Sequence, residues 1–123
     1  MHQAFVEDIV QFTINKTMEL SMTGSVLIVT PDVITRDSLG RTMWILLRSV
    51  HPDNFHLVHG NDIFIRSATS YEACRSIAVK HLIIVGDVPN NILELCVLRT
   101  AGVIDSQQWK INTFLKKEHF NET

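Results

Sequence analysis

Two short runs in this chain are apolar at every position, Val26-Leu27-Ile28-Val29 and Leu82-Ile83-Ile84-Val85, the second opened by His81. A strand with one wet face alternates apolar and polar side chains. An unbroken, β-branched run instead needs cover on both faces, which is the situation of a strand inside a parallel sheet with helices above and below. Each run ends on a breaker, Pro31 after the first and Gly86-Asp87 after the second, and each is followed by a helical pattern. That repetition of strand, turn and helix is the strongest constraint on the fold.

The flanking segments complete an α/β expectation. Over residues 3–20, Phe5, Val6, Ile9, Val10, Ile14 and Met18 recur mostly at three- and four-residue spacing, with Phe12 off the stripe, which predicts an amphipathic helix. From Thr35 to Val50, Leu39, Met43, Trp44, Ile45, Leu46 and Leu47 predict a second, capped by Asp32 or Thr35. Gly40 costs that helix about 1 kcal/mol relative to alanine. Alternation on both sides of Gly60-Asn61-Asp62 predicts a hairpin within 55–69, and Tyr71 to Val79 reads as a short helix. Pro89 suits the first turn of a helix carrying Ile92, Leu93, Leu95, Cys96, Val97 and Leu98. The tail from Ser106, with Trp109, Ile111, Phe114, Leu115 and Phe120, reads as a last helix. The expected architecture is a single α/β domain over residues 1–123, with a small, mostly parallel sheet flanked by helices and a hairpin in its middle.

Composition narrows the function classes only loosely. A chain of 123 residues with 46% hydrophobic and 20% charged residues is globular in character and can bury one core without metals or disulfides. The formal net charge of -2 gives no global attraction to nucleic acid or anionic membrane. Cys74 and Cys96 lie within apolar helical patterns and are expected to be reduced, buried thiols. The start, Met-His-Gln-Ala-Phe followed by two acids, lacks the basic region and apolar core of a signal peptide. No apolar run approaches the ~20 residues of a membrane span, so a cytoplasmic protein with no membrane role is expected.

Chemistry-bearing residues are sparse. In open α/β sheets ligands bind beyond the carboxyl ends of strands, which directs attention to Thr30, Pro31 and Asp32 and to Gly86, Asp87 and Asn90. Asp32 and Asp87 are candidates for holding a divalent cation or orienting water, and equally for capping helices. The six histidines show no zinc-like grouping, and there is no HExxH, paired-cysteine or GxSxG pattern. GxxxxGK[ST] and GxGxxG are also absent, so no cofactor, metal or catalytic residue is expected. Arg36, Arg41, Arg66, Arg75 and Lys110 form the candidate set for phosphate-backbone contact, provided that they share a face. Phe5, Ile9, Trp109, Phe114 and Phe120 are the candidate interface residues, and core packing is their simpler explanation.

The stretch Gly24-Ser-Val-Leu-Ile-Val-Thr-Pro31 resembles the second strand and following turn in the first ATPase core of helicases and phage terminase large subunits. Ile65-Arg-Ser-Ala-Thr-Ser70, Arg75 and His81-Leu-Ile-Ile-Val-Gly-Asp87 are similar to the portion leading into that family's Walker B strand. The resemblance covers roughly residues 15–100. The family's acidic pair is reduced to Asp87, with Val88 in place of glutamate, and Asn15-Lys16-Thr17 resembles a phosphate loop stripped of its glycines. It implies a scaffold without nucleotide hydrolysis. The functional expectation is a non-catalytic interaction or assembly protein, such as a viral or phage accessory factor, acting through self-association or a protein partner. The alternatives are a nucleic-acid-binding accessory protein and a metal-dependent enzyme using Asp32 and Asp87.

Overall fold

The computed structural model describes residues 1–47, 63–69 and 78–113. Its elements are β1 (His2–Val6), α1 (Ile9–Ser21), β2 (Val26–Thr30), α2 (Val33–Leu47), β3 (Ile63–Ser67), β4 (His81–Val85), α3 (Asn90–Thr100) and β5 (Gln108–Thr113). The strands form one sheet in the order β1-β5-β4-β2-β3, and every pairing is parallel. The two apolar runs are β2 and β4, which lie side by side with Val26 opposite His81 and Ile28 opposite Ile83. All ten of their residues are buried.

Side-chain alternation divides the core into two layers. Val26, Ile28, Ile63, Ile65, Ile83, Val85 and Ile111 meet Ile14 and Leu20 of α1 and Leu39 and Met43 of α2 on one face. Leu27, Val29, Leu82 and Ile84 meet Ile92 and Cys96 of α3 on the other. Each fully buried Leu or Ile contributes about 1.5–3 kcal/mol relative to exposure, so the β2–β4 pair is the energetic centre of the domain.

Two predicted helices give way to strands in part. The helix predicted over residues 3–20 begins only at Ile9, because the Asp8 carboxylate accepts the Gln11 N–H at 3.0 Å and caps α1 there. Residues 2–6 form β1 instead, with His2 opposite Trp109 and Val6 opposite Thr113. The tail from Ser106 is likewise not helical over its described part. Gln108–Thr113 is β5, inserted between β4 and β1, with Ile111 fully buried on the α1 side.

The predicted hairpin is half visible. Ile63–Ser67 is a strand, but its partner is β2 and the pairing is parallel. The other arm, residues 55–59, lies outside the described residues. So does most of the helix predicted from Tyr71, while Ala78 and Val79, at its end, are not helical. Residue 74 also lies outside them, and Cys96 is buried as expected.

Candidate functional site

Strand order locates the place where a ligand site would be expected. The connections β1–β2 and β2–β3 advance toward the β3 edge, whereas β3–β4 and β4–β5 step back toward β1. The chain therefore leaves β2 into a helix on one face and β4 into a helix on the other. The carboxyl ends of β2 and β4 are a topological switch point, the usual ligand crevice of open α/β sheets. Thr30-Pro31-Asp32, Ser67-Ala68-Thr69 and Gly86-Asp87-Val88 form its rim.

Most of that rim is occupied with holding itself together. The Thr30 hydroxyl is fully buried and donates to the Asp32 carbonyl at 2.8 Å, while the Thr30 carbonyl accepts the Ala68 N–H at 2.8 Å. The Asp32 carboxylate accepts the Thr35 N–H at 2.6 Å, so Asp32 rather than Thr35 caps α2. That bond from the Thr35 amide, helped by the Thr35 hydroxyl, holds the Asp32 carboxyl below the ordinary aspartate range. Ser67 and Thr69 pair their hydroxyls at 3.0 Å. Gly86 takes a φ of +67°, which glycine adopts without steric cost, and its N–H donates to the Ile111 carbonyl at 2.9 Å. Asp87 is exposed and Val88 is buried. No group of three His, Cys, Asp or Glu side chains among the described residues is placed to hold a metal ion.

The candidate basic residues are dispersed. Arg36 lies on α2 and pairs with Asp37 at 2.9 Å, and Arg41 is exposed on the same helix. Arg41 borders an open depression of about 350 Å³ with Ile34, Asp37, Ser38 and Thr42. Arg66 and Lys110 lie on strands β3 and β5, on the sheet face opposite α1 and α2, since they alternate with the inward Ile65 and Ile111. They sit three strands apart, about 14 Å at the usual strand spacing. The Arg66 guanidinium rests 5.6 Å from the centre of the Phe64 ring. Arg75 lies outside the described residues.

The candidate interface residues separate as sharply. Ile9 and Trp109 pack against the core. The Trp109 ring stacks on His2 with centroids 4.7 Å apart, and the Lys16 ammonium stands 4.0 Å from the same ring. Lys16 also pairs with Glu19 at 3.0 Å. The segment Asn15-Lys16-Thr17 thus lies in the middle of α1, not in a loop between strand and helix where a phosphate loop belongs. Phe5 remains 55% exposed on β1. Phe114 and Phe120 lie outside the described residues.

Sequence reasoning missed β1 itself, an edge strand of five residues with no charged side chain and no proline. Its letters, His-Gln-Ala-Phe-Val, do not alternate polar and apolar residues, so no local signal marked it, although in the fold the half-buried Ala4 and Val6 alternate with the exposed Gln3 and Phe5. Comparison with protein-family models, curated proteins and solved structures returns no match. The resemblance to an ATPase core accordingly rests on the residues that first carried it. No helix among the described residues is long and apolar enough to cross a membrane.

Proposed function

We propose that this protein works by assembly through protein–protein contact and not by catalysis. One observation carries the reading: β1 lies at the edge of the sheet, uncharged and free of proline, with Phe5 standing 55% exposed on it. Natural edge strands are usually blunted by charge, proline, a bulge or a covering segment, because their unpaired N–H and C=O groups template another strand. β1 pairs with β5 on one side and with no other strand among the described residues.

The switch-point rim supports the same reading from the other direction. Thr30, Asp32 and Ser67 are engaged in local hydrogen bonds, and of the two exposed acids on that rim Asp32 is committed to capping α2. The nucleic-acid alternative gains nothing from Arg66 and Lys110, which stand apart on the sheet, or from Arg36, whose charge is shared with Asp37.

The test is sedimentation velocity of the full chain from micromolar to millimolar concentration, with labelled DNA and RNA titrated in parallel across a salt series. The expected result is a reversible rise in mass with concentration and no salt-sensitive nucleic-acid binding. A strictly monomeric chain that binds nucleic acid at low salt overturns the proposal.

A further inference from the structure

Resting on that assembly reading, we infer that the partner of β1 is β1 of a second copy of this chain, paired antiparallel about Ala4 to make a continuous ten-stranded sheet. The strand His2-Gln3-Ala4-Phe5-Val6 is self-complementary in that register. Ala4 faces Ala4 of the second copy, Gln3 faces Phe5, and His2 faces Val6. No charged side chain on one strand is set opposite a like charge on the other, so nothing electrostatic opposes the pairing.

The register also accounts for the exposed aromatic. Gln3 and Phe5 project on one face of β1, and Ala4 and Val6 on the other, where Val6 packs against the core. Across a two-fold axis at Ala4 the two Phe5 rings become diagonal neighbours, about 7–8 Å apart at the backbone and within reach of each other as aromatic side chains. Each ring, 55% exposed in the single chain, covers the other. A slip of one residue would place Phe5 opposite His2 or Ala4 and turn the second Phe5 to the other face of the sheet, away from that contact.

The size of the contact sets its strength. Five residues extend only about 17 Å along the edge. With one aromatic per copy, this falls short of the roughly 800 Å² per partner of a standard stable interface. The dimer is therefore reversible and concentration-dependent.

Disulfide trapping tests the register directly on the full chain. Ala4→Cys places two thiols opposite each other at a Cα separation of about 4.5–5.5 Å, within the disulfide range. Under mild oxidation it is expected to form a covalent dimer well above the background that Cys74 and Cys96 give in the parent chain. Gln3→Cys and Phe5→Cys should each remain largely monomeric alone and cross-link when mixed. Phe5→Lys, whose retained fold is checked by circular dichroism, should weaken self-association by roughly tenfold or more. A chain that gains mass with concentration but shows no Ala4→Cys trapping overturns this pairing and leaves assembly through another surface standing. A chain that stays monomeric to millimolar concentration overturns both.

Discussion

The backbone N–H of Gln107 donates to Nδ1 of His81 at 3.1 Å. That bond determines the tautomer, since a nitrogen that accepts carries no proton. Nε2 therefore bears the hydrogen and donates it to the Thr23 hydroxyl 2.7 Å away, and Thr23 in turn donates to the Leu20 carbonyl at 3.1 Å. His81 is 1% exposed at the amino end of the central strand β4, so one neutral imidazole joins the α1–β2 turn to the α3–β5 turn.

Burial, reinforced by the neighbouring Lys80 charge, lowers the His81 pKa below its ordinary value near 6.5. In the window below that value the unfolded chain takes up a proton that the folded chain refuses, so stability rises with pH. The His81 contribution is complete above about 6.5 and declines as pH falls toward the lower folded-state value. Urea unfolding from pH 7.5 down to 5 should show this decline, and His81→Gln should flatten it. An unchanged slope in the variant would assign the pH dependence to the other histidines.

Asp32 is expected to be structural. Asp32→Asn keeps an oxygen for the Thr35 N–H and should leave the unfolding midpoint close to that of the parent, whereas Asp32→Ala removes the cap of α2 and should lower it. Thermal unfolding of the two variants checks the ordering. Equal losses would mean that the carboxylate charge matters more than the cap.

Thr13 buries its hydroxyl completely on α1, and that oxygen has no hydrogen-bond partner among the described residues. Thr13→Val keeps the shape and removes an unsatisfied polar atom. It is expected to stabilise the domain by about 1 kcal/mol in equilibrium urea unfolding. Destabilisation would reveal a partner for the hydroxyl.

Gly24 is a close-approach glycine. A Cβ there would stand 2.6 Å from Cδ and 2.8 Å from Cβ of Lys80. Gly24→Ala should cost about 1–3 kcal/mol through overpacking. Adding Lys80→Ala removes the Cδ contact but keeps the Cβ contact, so the double variant should recover only part of the loss. Full recovery would show that the side-chain end alone creates the conflict.

Legibility in the sequence followed locality. β2 and β4 could be read because a strand covered on both faces carries its burial in consecutive letters. The cap at Asp32 and the stop at Pro31 are decided within a few residues, and they held. β1 could not be read in the same way. Phe5, Val6, Ile9 and Val10 imitate a helical stripe that continues through Asp8, and the strand at 2–6 is stabilised by pairing with β5, more than 100 residues away in the chain. The same applies to the segment after Ser106, where Trp109 and Ile111 fit either a strand or a helix until β4 and β1 flank it.

The rim at Asp32 and Gly86 was located in advance because the ends of apolar strands are visible in the letters. Its engagement in local hydrogen bonds was not, since the contact between Thr30 and Ala68 depends on β2 and β3 lying side by side. The sequence by itself determined the doubly covered strands, the helix cap and the α/β class, because each is encoded by short-range periodicity and local capping chemistry. Only the tertiary structure decided the strand order, the strands at residues 2–6 and 108–113 where helix was expected, and the position of β1 at the sheet edge. Those features arise from backbone pairing between distant segments, for which no local pattern of side chains is required.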